Sequence, residues 1–120
     1  ASLETDTVRL RGKIAARFTA NPLRVLEAWI PGTDDRLGEM LLVAHLCHPQ
    51  PSANDNASGS GLLLGMARQL AETTRNLTPR NTVRFLWVPE FSGSIAWSLD
   101  HPDTLGRTLG AINLDMVGES

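Results

Sequence analysis

The sequence predicts an α/β fold with a mostly parallel sheet and an antiparallel hairpin at one edge. Strand-like and helix-like segments alternate over the second half of the chain, which is typical of a parallel sheet covered by helices. The first 30 residues instead hold two extended segments separated by a turn, which indicates a hairpin. With 120 residues, of which 42% are hydrophobic and 20% charged, the chain has the size and balance of one globular domain.

The first part of the chain, residues 1–38, is expected to form the edge hairpin and a polar loop. Residues 7–18 alternate apolar and polar side chains for much of their length, as a half-buried strand does. A turn signal ending in Pro22 follows. Residues 23–30 are short and flanked by prolines, which favours a second strand over a helix. Residues 39–120 then make up the core.

The core begins with a short apolar run at residues 40–44, which fits a strand covered on both faces. A helix is predicted over residues 59–74, with Ser58 as its N-cap. This helix carries glycines at positions 59, 61 and 65. Because glycine is costly inside a helix, we expect these glycines to mark a close approach of the helix to the sheet.

The remaining elements alternate in the same way. The apolar residues at 81–88 and 109–114 are typical of strands, and residues 92–99 can form a short helix capped by Ser92. Residues 100–103 are expected to form a turn. The predicted order is therefore β-β-β-α-β-α-β, without an internal repeat.

Composition excludes several classes of protein. Eleven basic and 13 acidic residues give a net charge of −2, which excludes a generally basic nucleic-acid binder and a polybasic membrane anchor. No apolar run approaches the ~18 residues that a membrane-spanning helix needs. The single cysteine cannot form an internal disulfide. We expect a cytoplasmic protein that binds neither nucleic acid nor membrane. We also expect the chain to be part of a longer protein, because it stops just after the last predicted strand.

Histidine and carboxylate side chains follow the predicted strands. His45 and His48 follow the first core strand, Glu90 follows the second, and Asp115 lies near the end of the last. Asp55 precedes the first core helix. Because the carboxyl ends of parallel strands meet at one edge of a sheet, we expect these side chains to gather there. Imidazole with several carboxylates is a zinc ligand set, and a carboxylate shared by two ions would give a co-catalytic pair.

Each of these residues also has an ordinary structural explanation. A lone histidine at a strand end is usually a hydrogen-bonded surface residue, and Asp55 could interact with the dipole of the helix that follows it. Glu90 could simply be solvated after its proline. Asp115 lies among apolar residues, where burying a carboxylate without a partner or an ion is costly. The joint placement of these residues is what favours a metal site.

Cys47 raises a separate alternative, a cysteine hydrolase. Adjacent residues on an extended chain point to opposite faces, so His48 cannot be its base, and His45 or His101 would have to serve. The sequence favours a small buried apolar side chain at Cys47 instead. The nucleophile-elbow, dinucleotide-binding and Walker A motifs are absent from the sequence.

Residues 41–70 resemble the di-zinc aminopeptidase family. That family has an apolar strand, then His-x-Asp, a short loop and an Asp-Asn-x-Ser-Gly segment that opens a helix, matched here by Asp55 to Gly59. Residues 83–98 resemble its next strand, Glu-Glu pair and Gly-Ser helix start, and residues 111–118 resemble its Asn-x-Asp-Met-x-Gly strand end. The Cys-His-Pro signature at residues 47–49 is similar to that of a related bacterial aminopeptidase-like domain.

The resemblance implies a zinc-exopeptidase-like core and a role for each matching residue. Asp55 would bridge two zinc ions and be followed by a cis peptide bond, and Asp115 would be a terminal ligand of one ion. Glu90 matches one member of the Glu-Glu pair, which supplies a general base and a ligand. The histidine ligand is either His45, by its place at the strand end, or His48, by the Cys-His-Pro signature, and the signature favours His48.

Three departures from the family pattern limit this expectation. Pro89 stands in the place of one glutamate, and Cys47 stands in the place of the aspartate that orients the first histidine. The last histidine ligand of the family would lie beyond Asp115, outside this sequence. The leading hypothesis is a zinc-dependent exopeptidase acting on short peptides or amino-acid amides, with a homo-oligomer as an option. The alternative is a catalytically impaired binding or assembly module.

Overall fold

The computed structural model describes residues 9–20 and 22–118, and it contains a four-stranded sheet with helices on both faces. In chain order the elements are β1 (Leu26–Ile30), β2 (Glu39–His45), α1 (Gly59–Thr73), β3 (Val83–Val88), α2 (Ser92–Asp100), α3 (Pro102–Gly106) and β4 (Thr108–Asn113). A short irregular helical turn at Ala53–Ser58, called the Asp55 turn below, leads into α1. The predicted α/β fold class is confirmed.

The sheet has the order β1-β3-β2-β4. Strand β2 pairs in parallel with both β3 and β4, whereas β1 is an antiparallel edge strand beside β3. The central strand β2 is buried along most of its length, which explains why it is apolar almost without interruption. No helix in the described part of the chain has the length and apolar character needed to cross a membrane.

Two hydrophobic clusters lie on opposite faces of the sheet. Leu42, Ala44, Phe85 and Trp87 pack with Leu63 of α1 on one face. On the other face, side chains that alternate with these, such as Leu41 and Leu86, pack with Trp97 of α2. The sheet therefore forms the middle layer between α1 and α2, as the period-two burial of its strands requires.

This topology opens a crevice at the carboxyl end of β2. The chain leaves β2 towards α1 on one face and leaves β3 towards α2 on the other face. In α/β sheets, ligands bind where successive connections diverge in this way. His45 is the last residue of β2 and lies at this point.

The prediction that residues 7–18 form a hairpin with β1 is wrong for the residues that the structure describes. Residues 9–18 form no strand, and Leu10, Ile14 and Phe18 on this segment are more than 90% exposed. Residues 7 and 8 lie outside the described part. The antiparallel partner of β1 is β3, which lies far from it in sequence and pairs with it through a ladder of five residue pairs. A pattern of alternation shows that a segment can be a strand, but not which strand it pairs with.

The capping of the helices differs from the prediction. Ser58 occupies the predicted N-cap position of α1, but it has helical backbone angles and donates its hydroxyl to the Asn54 carbonyl, so its side chain makes no capping hydrogen bond. Ser52 has the capping role one turn earlier, where its Oγ accepts the Asp55 N–H. Phe91, rather than Ser92, precedes α2. The expected turn at residues 100–103 instead leads into α3, which has a proline in its first turn.

Only the first of the three glycines in α1 marks a close approach to the sheet. A Cβ at Gly59 would lie 2.1 Å from the Leu114 carbonyl oxygen, so no other residue fits there without displacing the backbone. A Cβ at Gly61 or Gly65 would meet nothing within 4 Å. The expectation for these two positions is therefore wrong, because both face open space.

Candidate metal centre

His45 is fixed at the end of β2 by a hydrogen bond to the main chain. Its Nδ1 lies 2.8 Å from the Cys47 carbonyl oxygen, which can only accept, so Nδ1 carries a proton. Its Nε2 therefore points the other way, 3.1 Å from Asp55 Oδ1 and 3.4 Å from Asp115 Oδ1. Both carboxylates are close, but Nε2 is buried and forms no hydrogen bond within the described residues.

Three of the predicted site residues thus come together. We call these residues, His45, Asp55 and Asp115, the His45 cluster. Each offers one ligand atom, and these three atoms lie within 4.8 Å of one another. They come from the end of β2, the Asp55 turn and the loop after β4, which are distant in sequence. An imidazole and two carboxylates form a donor set that suits zinc.

His48 contacts Asp55 through the second carboxylate oxygen of that residue. Its Nδ1 lies 2.6 Å from the Gln50 carbonyl oxygen and donates to it, while its Nε2 lies 3.3 Å from Asp55 Oδ2. Each oxygen of Asp55 therefore faces a different histidine. The sequence left open which histidine belongs to the site, and the structure brings both of them to Asp55.

Glu90 lies beside the His45 cluster rather than within it. It follows β3 and lines a cavity of about 350 Å³ together with His45 and Asp115. The remaining walls of this cavity come from the α2 face of the sheet and the start of α2, and include Val43, Val88 and Phe91. A second cavity, of about 400 Å³, is lined by His45, His48, Asp55 and the loop between them.

Neighbouring charges and burial shift the pKa of His45 in opposite directions. Burial lowers its pKa, because the imidazolium loses solvation. The hydrogen bond to the Cys47 carbonyl and then the negative charges of Asp115, Glu90 and Asp55 act the other way, and the pKa of His45 is raised overall. The site therefore attracts positive charge at the position that His45 Nε2 faces.

Two asparagines beside Asp55 hold the site together, and sequence reasoning gave them no role. The buried Asn56 donates to the Leu114 carbonyl over 2.9 Å, and its Oδ1 accepts the N–H groups of Gly59 and Met116. Asn54 Oδ1 accepts the Gly118 N–H. These bonds join the Asp55 turn to the loop that carries Asp115. The signal was available, since amides on both sides of a candidate ligand are suited to this bridging.

The peptide bond between Asp55 and Asn56 is cis, as the family resemblance implied. Ser60, one turn further, donates its buried hydroxyl to the His45 carbonyl over 2.8 Å. The end of β2 is thus bound to the start of α1 as well as to the neighbouring strands.

The residues considered for a cysteine hydrolase, Cys47 with His45 or His101, do not come together. The expected burial of Cys47 is wrong: this residue is exposed in the loop after β2, and its Sγ accepts the Glu90 N–H over 3.0 Å. His45 contacts the carbonyl of Cys47 rather than its thiol. His101 stacks on Trp97 at the end of α2, with ring centroids 4.7 Å apart, and its Nδ1 contacts the Trp97 carbonyl. No histidine in the described residues is therefore hydrogen-bonded to this thiol.

Two known proteins are similar to this chain in sequence or structure. The chain is 34% identical over 82 residues to a "Putative polysaccharide biosynthesis protein with aminopeptidase-like domain" from Clostridium acetobutylicum. A crystal structure of a "putative peptidase" from the same organism superimposes with a TM-score of 0.70 and 32% identity over 80% of this chain. The chain spans 18% of the length of the first relative and 21% of the second.

Residues 15–120 match the family described as "Domain of unknown function (DUF4910)". The match includes every residue of the His45 cluster as well as His48 and Glu90. The chain belongs to this DUF4910 family.

Proposed function

We propose that this domain supplies the metal centre of a zinc-dependent exopeptidase that removes N-terminal residues from short peptides. The observation that carries the proposal is the buried Nε2 of His45, which has no hydrogen-bond partner in the described residues and faces two carboxylates. A neutral imidazole protonated on Nδ1 would direct its lone pair at these oxygens, which is unfavourable unless a cation, or a proton on Nε2, lies between them.

The residues fit a pair of cations better than one. His45, Asp115 and Asp55 Oδ1 would hold the first ion, and Asp55 Oδ2 with His48 would contribute to a second. Both histidines donate their Nδ1 protons to carbonyl groups, which orients each Nε2 towards Asp55 and would leave it available as a ligand, as is usual for metal-binding histidines. Zinc bound there would polarise a substrate carbonyl and activate water.

Glu90 is proposed to move the proton in this reaction. It follows β3 in the crevice and lines a cavity with His45 and Asp115, so a proton acceptor is available beside the cluster. Asp55 and Asp115 would act as metal ligands rather than as proton acceptors. A peptide or an amino-acid amide would enter from the open side of the same cavity.

The test uses the full-length protein freed of metal with a chelator. We expect amino-acid amide hydrolysis to be absent without zinc and restored by zinc. Glu90→Gln should lower kcat by about 100-fold or more while zinc still binds, because general-base catalysis contributes on the order of 10²–10⁴. Glu72→Gln, which alters an exposed helix pair, is the matched control and should retain activity. Zinc-independent hydrolysis, or an unaffected Glu90→Gln enzyme, would contradict the proposal.

A binding or assembly module is the second candidate. It is favoured by Pro89, which stands where the resembling family has one of two adjacent glutamates, so that Glu90 is the only carboxylate at this position. The same experiment separates the two functions. Zinc binding by the full-length protein without hydrolysis of any amino-acid amide would favour the module over the peptidase.

A further inference from the structure

The hydrogen-bond ladder between β2 and β3 ends in an unusual way. Leu46 continues it, since its N–H donates to the Val88 carbonyl over 2.9 Å. In a regular parallel ladder, the carbonyl of such a residue accepts the N–H two positions further along the neighbouring strand, here that of Glu90. The Glu90 N–H instead donates to the Cys47 thiol over 3.0 Å.

Cys47 therefore contacts two parts of the proposed site at once. Its carbonyl oxygen accepts the Nδ1 proton of His45, and its Sγ accepts the main-chain proton of Glu90. We propose that Cys47 is a positioning residue, whose thiol replaces the last backbone acceptor of the ladder and fixes Glu90 relative to His45. The catalytic part of this inference rests on the proposed function, whereas the contact itself does not.

The local sequence explains why this single contact matters. Pro89 has no N–H, so the Glu90 N–H is the first donor after β3. The next residue, Phe91, has a positive φ of 52°, so the chain turns sharply directly after Glu90. The Glu90 carbonyl is held within this turn by the Ser92 N–H. The thiol is thus the contact that ties the turn to β2, and through Cys47 to His45.

Hydrogen exchange of the Glu90 amide in the full-length protein tests the contact without reference to activity. Glu90 is exposed, so its amide should be protected mainly by the thiol. We expect Cys47→Ala to speed its exchange by about tenfold or more, and Cys47→Ser, which keeps an acceptor, to restore most of the protection. Ser92→Ala, which removes a side-chain bond to the Glu90 carbonyl, controls for general loosening of the turn. Equal exchange in wild type and Cys47→Ala, or equal acceleration by Ser92→Ala, would overturn the proposal.

Kinetics test the consequence for Glu90. Cys47→Ala should lower kcat for amino-acid amides by about tenfold, with KM and the number of zinc ions bound per chain unchanged, and Cys47→Ser should recover most of the loss. A change in KM alone, or unaltered kcat together with a Glu90→Gln enzyme that is inactive, would overturn a positioning role. Complete inactivation by Cys47→Ser would do the same and would indicate a nucleophilic thiol. If the wild-type protein hydrolyses nothing, the proposed function fails, and amide exchange alone decides the contact.

Discussion

Asp55 contacts the two histidines through different oxygens, and this assigns them different parts in the proposed centre. His45 Nε2 lies 3.1 Å from Oδ1 and its side chain is buried, whereas His48 Nε2 lies 3.3 Å from Oδ2 and its side chain is about one-third exposed. Sequence reasoning treated the two histidines as alternatives and favoured His48. Their spacing along the chain could not distinguish them, because the orientation of each ring is set by a carbonyl two residues further on.

Substitution of the two histidines should therefore have unequal effects on zinc binding. We expect His48→Ala to reduce the bound zinc from two ions to one, because the ligands of the His45 cluster remain. His45→Ala should weaken binding of the first ion by on the order of 100-fold, since it removes the buried ligand of that cluster. Calorimetric titration of the full-length protein with zinc measures both the stoichiometry and the affinity. Equal effects of the two substitutions would argue against separate positions for the two ions.

The raised pKa of His45 leads to a prediction for the zinc-free protein. Because the pKa is higher in the folded state than the usual value of about 6.5, protonation stabilises the fold. This contribution is fully present below about pH 6.5 and is lost as the pH rises through the raised pKa. Zinc requires the deprotonated imidazole, so stabilisation by added zinc should instead grow as the pH rises.

Thermal unfolding measured against pH, first with a chelator and then with zinc, checks both predicted pH dependences of stability. In the zinc-free state, His45→Gln should lack the part of the pH dependence that comes from this histidine. If zinc stabilised the protein more strongly at low pH than at neutral pH, His45 could not be one of its ligands.

At the level of elements, the contact between the start of α1 and the end of β4 brings Asp55 and Asp115 together. Gly59 permits it, because its missing side chain leaves room for the Leu114 carbonyl, while the Asn56 amide bridges the same two segments. The sequence predicted this helix and the close approach at Gly59. It did not distinguish Gly59 from Gly61 and Gly65, since only the packed structure shows which side of the helix faces the sheet.

Alanine substitutions at these glycines should therefore have opposite signs. Gly59→Ala should lower the free energy of unfolding by about 2 kcal/mol or more, because its Cβ would overlap the backbone of the Asp115 loop. Gly61→Ala, which meets open space in the same helix, should raise it by about 0.5–1 kcal/mol. Urea unfolding followed by circular dichroism gives both values. A neutral Gly59→Ala would show that α1 can move away from β4 at little cost.

At the level of the whole molecule, the second half of the fold was easier to predict than the first. From Glu39 onwards, each strand and the two longer helices occur close to their predicted positions, because continuous apolar runs and helical spacing mark them in sequence. The pairing of β1 with β3 was not predictable in this way. It depends on a contact between segments more than 50 residues apart, which no local pattern encodes.

The same long-range pairing assembles a network of charges that spans the whole sheet. Glu39, the first residue of β2, is almost fully buried and accepts hydrogen bonds from Arg84 on β3 and from Arg107 just before β4. Arg84 also pairs with Glu27 on β1. Residues of β1, β2 and β3 and the residue just before β4 are therefore joined at positions whose proximity follows from the topology alone.

Removing the charge of Glu39 should destabilise the fold far more than removing an exposed charge. Glu39→Gln leaves Arg84 partly unpaired within the protein, and breaking a buried pair in this way costs about 3–5 kcal/mol. Glu72→Gln, whose partner Arg68 is 80% exposed, should change the free energy of unfolding by less than about 0.5 kcal/mol. Denaturant unfolding of the two variants provides the comparison. If both changes proved equally small, the network would be an incidental result of the strand order, and burial of the apolar strands alone would hold the sheet that carries His45.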